Sequence, residues 1–258
     1  MFKSLLASLG VGAAKIDLIL DRDVVVMGEE VTGKIVLKGG EVEQLIEGLS
    51  VEFRLASSYK KGDHHVHVNE KIATIPILTE TYTVPPHQVT EYPFSFICPN
   101  YLPVSSVNTR YYFQTNLEIS NALDAKDRDF VEVHPSGLQK NFLDGFKALG
   151  FVHRGEGYTG SRDQGIQIIQ FHPTTWLKGE YDEIVFMYQP HATQHGVSGF
   201  FELDKRTSGL LGMIADELDL DEKKGRFHFN AAELASVDQA AETIRRFIIT
   251  NSQGLIGK

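Results

Sequence analysis

Only one cysteine stands among the 258 residues, so no disulfide can form within the chain. Cys98 lies between Ile97 and Pro99 at the end of an apolar run, where a small buried side chain is its plain role. A chain without a disulfide framework suits a reducing cytoplasm. Long apolar runs are missing too. None approaches the roughly 20 residues a helix needs to cross a bilayer, which excludes a transmembrane segment. The start, Met1 to Ala14, carries one lysine and an uncharged stretch from Leu5 to Ala14. It resembles a signal peptide superficially, but its charged start is weak and Ala13-Ala14 lacks the alternating small-residue cleavage pattern, so the expected location is cytoplasmic. Basic clusters are scarce: 25 Lys and Arg face 34 Asp and Glu, for a net charge of −9. Divided at Gly137, both halves are negative, and the densest basic groups are the pairs Lys60-Lys61 and Arg245-Arg246. Affinity for phosphate backbones needs clustered cations, so nucleic acid is not an expected partner. There is no internal repeat and no low-complexity tract.

What the chain does have is alternation. At 42% hydrophobic and 23% charged residues it can bury a core, and its apolar residues fall at every second position. Ile16, Leu18 and Leu20 interleave with Asp17 and Asp21; Val31, Gly33, Ile35 and Leu37 with Thr32, Lys34 and Lys38; Leu49, Val51, Phe53 and Leu55 with Ser50, Glu52 and Arg54. Side chains on a strand point to opposite faces with period two, so each run predicts a half-buried antiparallel strand. The rhythm continues through Val66 to Val68, Lys71 to Ile77, Tyr92-Phe94-Phe96 and Tyr111 to Ile119. Turns are expected at Gly28, at Gly39-Gly40 and over Ser57 to Asp63. Prolines at 76, 85, 86, 93, 99 and 103 remove ladder donors and belong at strand ends, edges or bulges.

His134-Pro135-Ser136-Gly137 is a breaker cluster and the candidate boundary between modules. The expected division is 1–134 for an N-terminal helix and first sandwich, 135–230 for a second module and 231–258 for a helical tail. A brief helix or turn is expected over Leu138 to Leu149, with strands over Gly165 to Phe171, Glu183 to Tyr188, Val197 to Asp204 and Arg226 to Phe229. Leu210, Leu211, Ile214 and Leu218 fall at helical spacing and predict a short helix inserted in the second module. At the start, Phe2, Leu5, Leu6 and Leu9 form an apolar stripe; near the end Ser236-Val237-Asp238-Gln239 resembles a capping box leading into a helix from Ala240 to Thr250.

Three segments carry a resemblance. Val26-Met27-Gly28-Glu29-Glu30-Val31-Thr32-Gly33-Lys34-Ile35 breaks at a Gly-Glu turn and restarts. Phe94-Ser95-Phe96 leads through Pro99-Asn100-Tyr101-Leu102-Pro103 to Tyr111-Tyr112-Phe113, and Lys126 to Val133 closes the run. Together they resemble an arrestin-type N-terminal module. The whole chain is similar to the bacterial sporulation-control family, in which a second β-module holds a segment like Phe201-Glu202-Leu203-Asp204-Lys205-Arg206 before a short Leu/Gly-rich helix. The resemblance covers roughly residues 15 to 230. It implies an all-β fold: two tandem antiparallel β-sandwiches of arrestin type, a short helix inserted in the second, and helices at both termini. It further implies a cytoplasmic, non-catalytic regulator of the decision to sporulate that acts through protein contacts. The basic phosphate-sensing residues and receptor-gripping loop of eukaryotic arrestins have no match here, so receptor and phosphate recognition do not carry over.

Motifs that suggest chemistry have plain alternatives. His64, His65 and His67 are the metal candidates, with His65 and His67 on one strand face; no distant Cys or paired His-Glu motif completes them, and a polar hairpin edge explains them as well. Gly155-Glu156-Gly157-Tyr158-Thr159-Gly160 fits GxGxxG, but Arg162-Asp163-Gln164-Gly165 and another strand come next in place of a helix, so a glycine loop is expected and not a nucleotide site. Gly196-Val197-Ser198-Gly199 misses the nucleophile-elbow pattern by one residue. The acidic run Asp216 to Glu222 has lysines where a calcium loop needs a ligand and a glycine. Lys126, Asp127, Arg128, Asp129 and Glu132 read as an inter-module charge network or as an exposed strand end. The stripe Phe2, Leu5, Leu6, Leu9 either packs on its own chain or docks on a partner or membrane surface.

The expectation is a regulatory scaffold with no catalytic residues and no cofactor, whose protein partner the sequence does not name. A self-assembling homodimer or membrane-peripheral adaptor, and a metal protein built on the histidines, are the alternatives.

Overall fold

Alternating side chains make a strand where one parity finds a core, and the segment Glu30–Lys38 illustrates it: Val31, Ile35 and Leu37 are buried while Glu30, Thr32 and Lys38 stay in solvent. The computed structural model describes residues 12–61, 63–120, 123–204 and 225–252. The N-terminal stripe Phe2, Leu5, Leu6, Leu9, the helical spacing over 210–218 and the acidic run 216–222 lie outside the described residues.

The described chain runs β1 (Lys15–Leu20), β2 (Val24–Val26), β3 (Glu30–Lys38), β4 (Gln44–Lys61), β5 (His64–Leu78), β6 (Tyr82–Val84), β7 (Val89–Ile97), β8 (Arg110–Ile119) and β9 (Ala125–His134). It continues with α1 (Gly137–Ala148), β10 (Phe151–Tyr158), β11 (Gln167–Pro173), β12 (Glu183–Tyr188), β13 (Gly196–Asp204), β14 (Gly225–Asn230) and α2 (Val237–Ser252). Two compact units result. The first is Met1–Leu55, Glu70–Cys98 and Arg110–Val133; the second is Ala56–Asn69, Pro99–Thr109 and His134–Lys258.

In the first unit a three-stranded sheet, β1-β3-β7, faces a sheet of order β2-β9-β8-β4-β5 with β6 added to β4. Aromatic side chains fill the space between them. Phe53 lies 5.1 Å from Phe96, 5.3 Å from Tyr111 and 4.9 Å from Phe113, and Phe94 meets Phe113 edge-on at 5.4 Å. The expected Gly28 turn joins β2 to β3, with Gly28 at positive φ and the Glu29 amide donating to the Val26 carbonyl at 3.0 Å. Pro76 and Pro93 sit in β5 and β7, both outermost in their sheets, where a missing ladder donor is tolerated.

The second unit carries a five-stranded antiparallel meander, β10-β11-β12-β13-β14. All six residues of β12 are buried, because both faces of the sheet centre are covered. On one face Phe142 of α1 packs 5.8 Å from Phe186 and 5.6 Å from Tyr188, and Phe146 stacks on Phe171 at 4.0 Å. Phe247 of α2 adds contacts to Phe201 at 4.8 Å and Phe229 at 5.2 Å. The other face gathers Ile166, Ile168, Val185 and Met187 with Phe200. The helices approach closely because α1 has no side chain at Gly145, where a Cβ would lie 3.0 Å from Ala240 and Ile244 side chains.

The all-β antiparallel class therefore stands, with α1 and α2 supplying the layer over one face of the second sheet. Helix α2 starts where the Ser236 box foretells: the Gln239 amide donates to Ser236 Oγ at 3.2 Å.

Candidate functional site

Strand β9 organises the candidate site in the first unit. It pairs antiparallel with β8 in the register Tyr112↔Phe130, Gln114↔Arg128 and Asn116↔Lys126. Alternation then splits its charged residues. Lys126, Arg128, Phe130 and Glu132 are exposed on one side, while Asp127 and Asp129 are half-buried on the other.

The inward pair meets β1. Asp127 Oδ2 accepts the Leu18 backbone N–H at 3.3 Å. One carboxylate oxygen from each of Asp17, Asp127 and Asp129 lies within 4.8 Å of the other two. Burial pushes the Asp129 carboxyl up to about 7, and the neighbouring charges of Asp127 and Asp17 push the same way. Asp129 therefore holds its proton more readily than an ordinary carboxyl, and three oxygens this close can meet a hard cation. Asp17 is the member that sequence reading missed. Its only signal was the polar position in the Ile16-Asp17-Leu18 alternation, and nothing local says that β1 and β9 meet.

Outward, Arg128 places its guanidinium 5.3 Å from the Tyr112 ring centroid and donates from Nε to Gln114 Oε1 at 3.2 Å. Tyr112 lies 5.5 Å from Phe130, which is 60% exposed. Arg54 holds Glu52 at 2.6 Å, and Lys71 reaches the same carboxylate at 3.4 Å. These two cations hold Glu52 below the usual carboxylate range against the opposing effect of its burial, the largest influence on it. The residues expected as an inter-module charge network or an exposed strand end, Lys126, Asp127, Arg128, Asp129 and Glu132, divide between opposite faces of β9.

The histidine trio does not assemble. His64, His65 and His67 are exposed at the start of β5, and among the described residues the one set of three close potential ligands is the aspartate trio. The GxGxxG segment is only in part the glycine loop expected from sequence: Gly160, at positive φ, opens the turn to β11. Gly155 and Gly157 lie within β10, where a Cβ at Gly155 would strike Gln170 Oε1 and one at Gly157 would crowd Ser58 and Tyr59. Close packing requires glycine at those two positions. Burial pushes the Cys98 thiol up to about 12, leaving it an unreactive core group.

A buried polar network fixes the 99–109 segment inside the second unit. Gln167 receives the Val104 amide at 3.0 Å and donates to the Val104 carbonyl at 3.2 Å. Tyr188 donates to Gln167 Oε1 at 3.1 Å, while Gln139 donates to the Tyr188 hydroxyl at 3.1 Å and to the Leu102 carbonyl at 3.0 Å. No described helix is long and apolar enough to cross a membrane.

Two facing antiparallel sheets filled by aromatic side chains in the first unit, and one helix-backed antiparallel sheet in the second, define a β-rich protein of arrestin-like fold that presents sheet edges and faces to solvent. A family model described as SpoOM protein matches residues 2–207, and the chain belongs to that family. It is 30% identical over 257 residues to the sporulation-control protein spo0M of Bacillus subtilis (strain 168), covering 96% of this chain and 97% of the relative. The crystal structure of Spo0M from Bacillus subtilis superposes with a TM-score of 0.76 at 25% identity, covering 93% of this chain and 99% of that one. The family resemblance read from residues 26–35, 94–113 and 126–133 is upheld, and with it a place in a family of sporulation-control proteins.

Proposed function

We propose that this chain is a non-catalytic, cytoplasmic scaffold that governs commitment to sporulation through contacts with other proteins. The observation that carries the reading is strand β7. It pairs with β3 on one side and, among the described residues, with no strand on the other; its two ends, Val89 and Ile97, are 56% and 69% exposed. An open strand edge with apolar ends is a template for a strand from another chain. The family's link to sporulation control supplies the process.

The test is cross-linking and affinity capture from the native cell with the full chain and with V89K/I97K. Lysines at the two ends blunt the edge without entering the core. A complex recovered with wild type and lost with V89K/I97K supports the reading. Recovery of the protein alone overturns it, and a mass of two chains by light scattering in that case favours self-assembly.

A further inference from the structure

The outward face of β8 and β9 carries charge of the opposite sign to the chain. The protein has a net charge of −9. On the outward faces of β4, β8 and β9, however, the cations Arg54, Arg110, Lys126 and Arg128 outnumber the carboxylates Glu52, Glu118 and Glu132. Glu52 is already held between Arg54 and Lys71, so it does little to offset the exposed pair Lys126 and Arg128. Phe130 is a large apolar side chain on this surface, 60% exposed, beside Tyr112 of the paired strand, whose ring carries the Arg128 guanidinium.

The platform is also stiff. Tyr112 is buried, Arg54 is hydrogen-bonded to both Tyr112 and Glu52, and Arg128 is held by Gln114. Cations fixed in this way lose less conformational freedom on binding than free side chains do. An aromatic anchor with the cations Arg128 and Lys126 on one side of it along the strand is complementary to an apolar side chain followed by carboxylates.

We infer that this face of the first unit docks an acidic protein segment, whose apolar side chain covers Phe130 while its carboxylates meet Arg128 and Lys126. The inference rests on the protein-contact reading above and gives that contact a second surface and a partner chemistry.

The test uses the full chain and a fluorescein-labelled peptide of about a dozen residues, with a central Phe flanked by glutamates and otherwise Gly and Ser. A counterpart carries Lys for Glu, and vesicles of equal parts phosphatidylglycerol and phosphatidylcholine stand in for an anionic membrane. Fluorescence anisotropy is expected to show binding of the acidic peptide that weakens as salt rises from about 50 to about 300 mM. K126E/R128E and, separately, F130S are expected to weaken it about tenfold or more. K34E/K38E, which makes the same charge change on the outward face of β3, is expected to leave it unchanged. If K126E/R128E melts early, K126Q/R128Q replaces it.

Equal binding to wild type and K126E/R128E, equal binding of the lysine peptide, binding of the vesicles alone, or no binding each overturns the assignment. A cross-linked cellular complex that survives K126E/R128E overturns this surface and leaves the protein-contact reading standing. Recovery of no complex from cells while peptide binding persists does the reverse.

Discussion

The carboxylate of Asp127 accepts the backbone N–H of Leu18 at 3.3 Å, across 109 positions of sequence. Strand β1 is outermost in its sheet, so this bond caps an edge amide with a side chain from the facing sheet. Asp127→Ala is expected to remove about 1 to 2 kcal/mol of stability, the range for a hydrogen bond to a charged group that is partly in solvent. Amide exchange read by NMR checks it. Exchange at Leu18 should accelerate most, while β12 amides keep their protection.

Asp129 makes stability depend on pH. Its carboxyl titrates at about 7 in the fold against the ordinary 3.8, so the folded chain binds more protons than the unfolded chain between those values. Stability from this group is therefore full below about pH 4, falls as pH rises towards 7, and is level beyond it. Asp129→Asn is expected to match wild type near pH 4 and to exceed it at pH 8 by on the order of 1 kcal/mol, allowing for partial solvent screening. Urea midpoints across that range give the comparison.

Helices α1 and α2 touch through Gly145. With Ala240 and Ile244 at 3.0 Å from where a Cβ would begin, Gly145→Leu is expected to push the helices apart. Overpacking of this kind costs about 1 to 3 kcal/mol and outweighs the gain in helix propensity of about 1 kcal/mol. A lowered thermal midpoint with the two helices retained by circular dichroism is the expected result.

The hydroxyl of Tyr188 joins Gln139 to Gln167 in the interior of the second unit. Tyr188→Phe keeps the ring packed on Phe142 and leaves two buried amides each short of one partner. The expected loss is about 1 to 3 kcal/mol by denaturant titration. Exchange at the Val104 amide should quicken, since Gln167 holds it.

Much of the strand content was legible because a half-buried strand writes its two faces into alternate residues. Residues 30–38, 183–188 and 196–204 are strands close to where alternation and apolar runs put them. Strand β10 was not, since its Gly155 and Gly157 mimic a loop; they are small because Gln170 and Tyr59 approach them, and those neighbours come from elsewhere in the chain.

The candidate site divides in the same way. The charges of β9 were visible as a cluster, but one strand shows opposite residues to opposite surroundings. Asp127 and Asp129 came to face Asp17, while Lys126, Arg128 and Phe130 came to face solvent.

By itself the sequence determined the antiparallel all-β class, the Gly28 turn, the Ser236 cap and the family, because each depends on neighbours within a few residues or on short segments in order. Only the tertiary structure decided that Asp17 meets Asp127 and Asp129, that among the described residues the histidines join no close set of three ligands, and that helices back the second sheet. Those outcomes depend on residues brought together from distant parts of the chain. A carboxyl like that of Asp129 takes its proton affinity from burial and neighbouring charge, which local sequence does not encode.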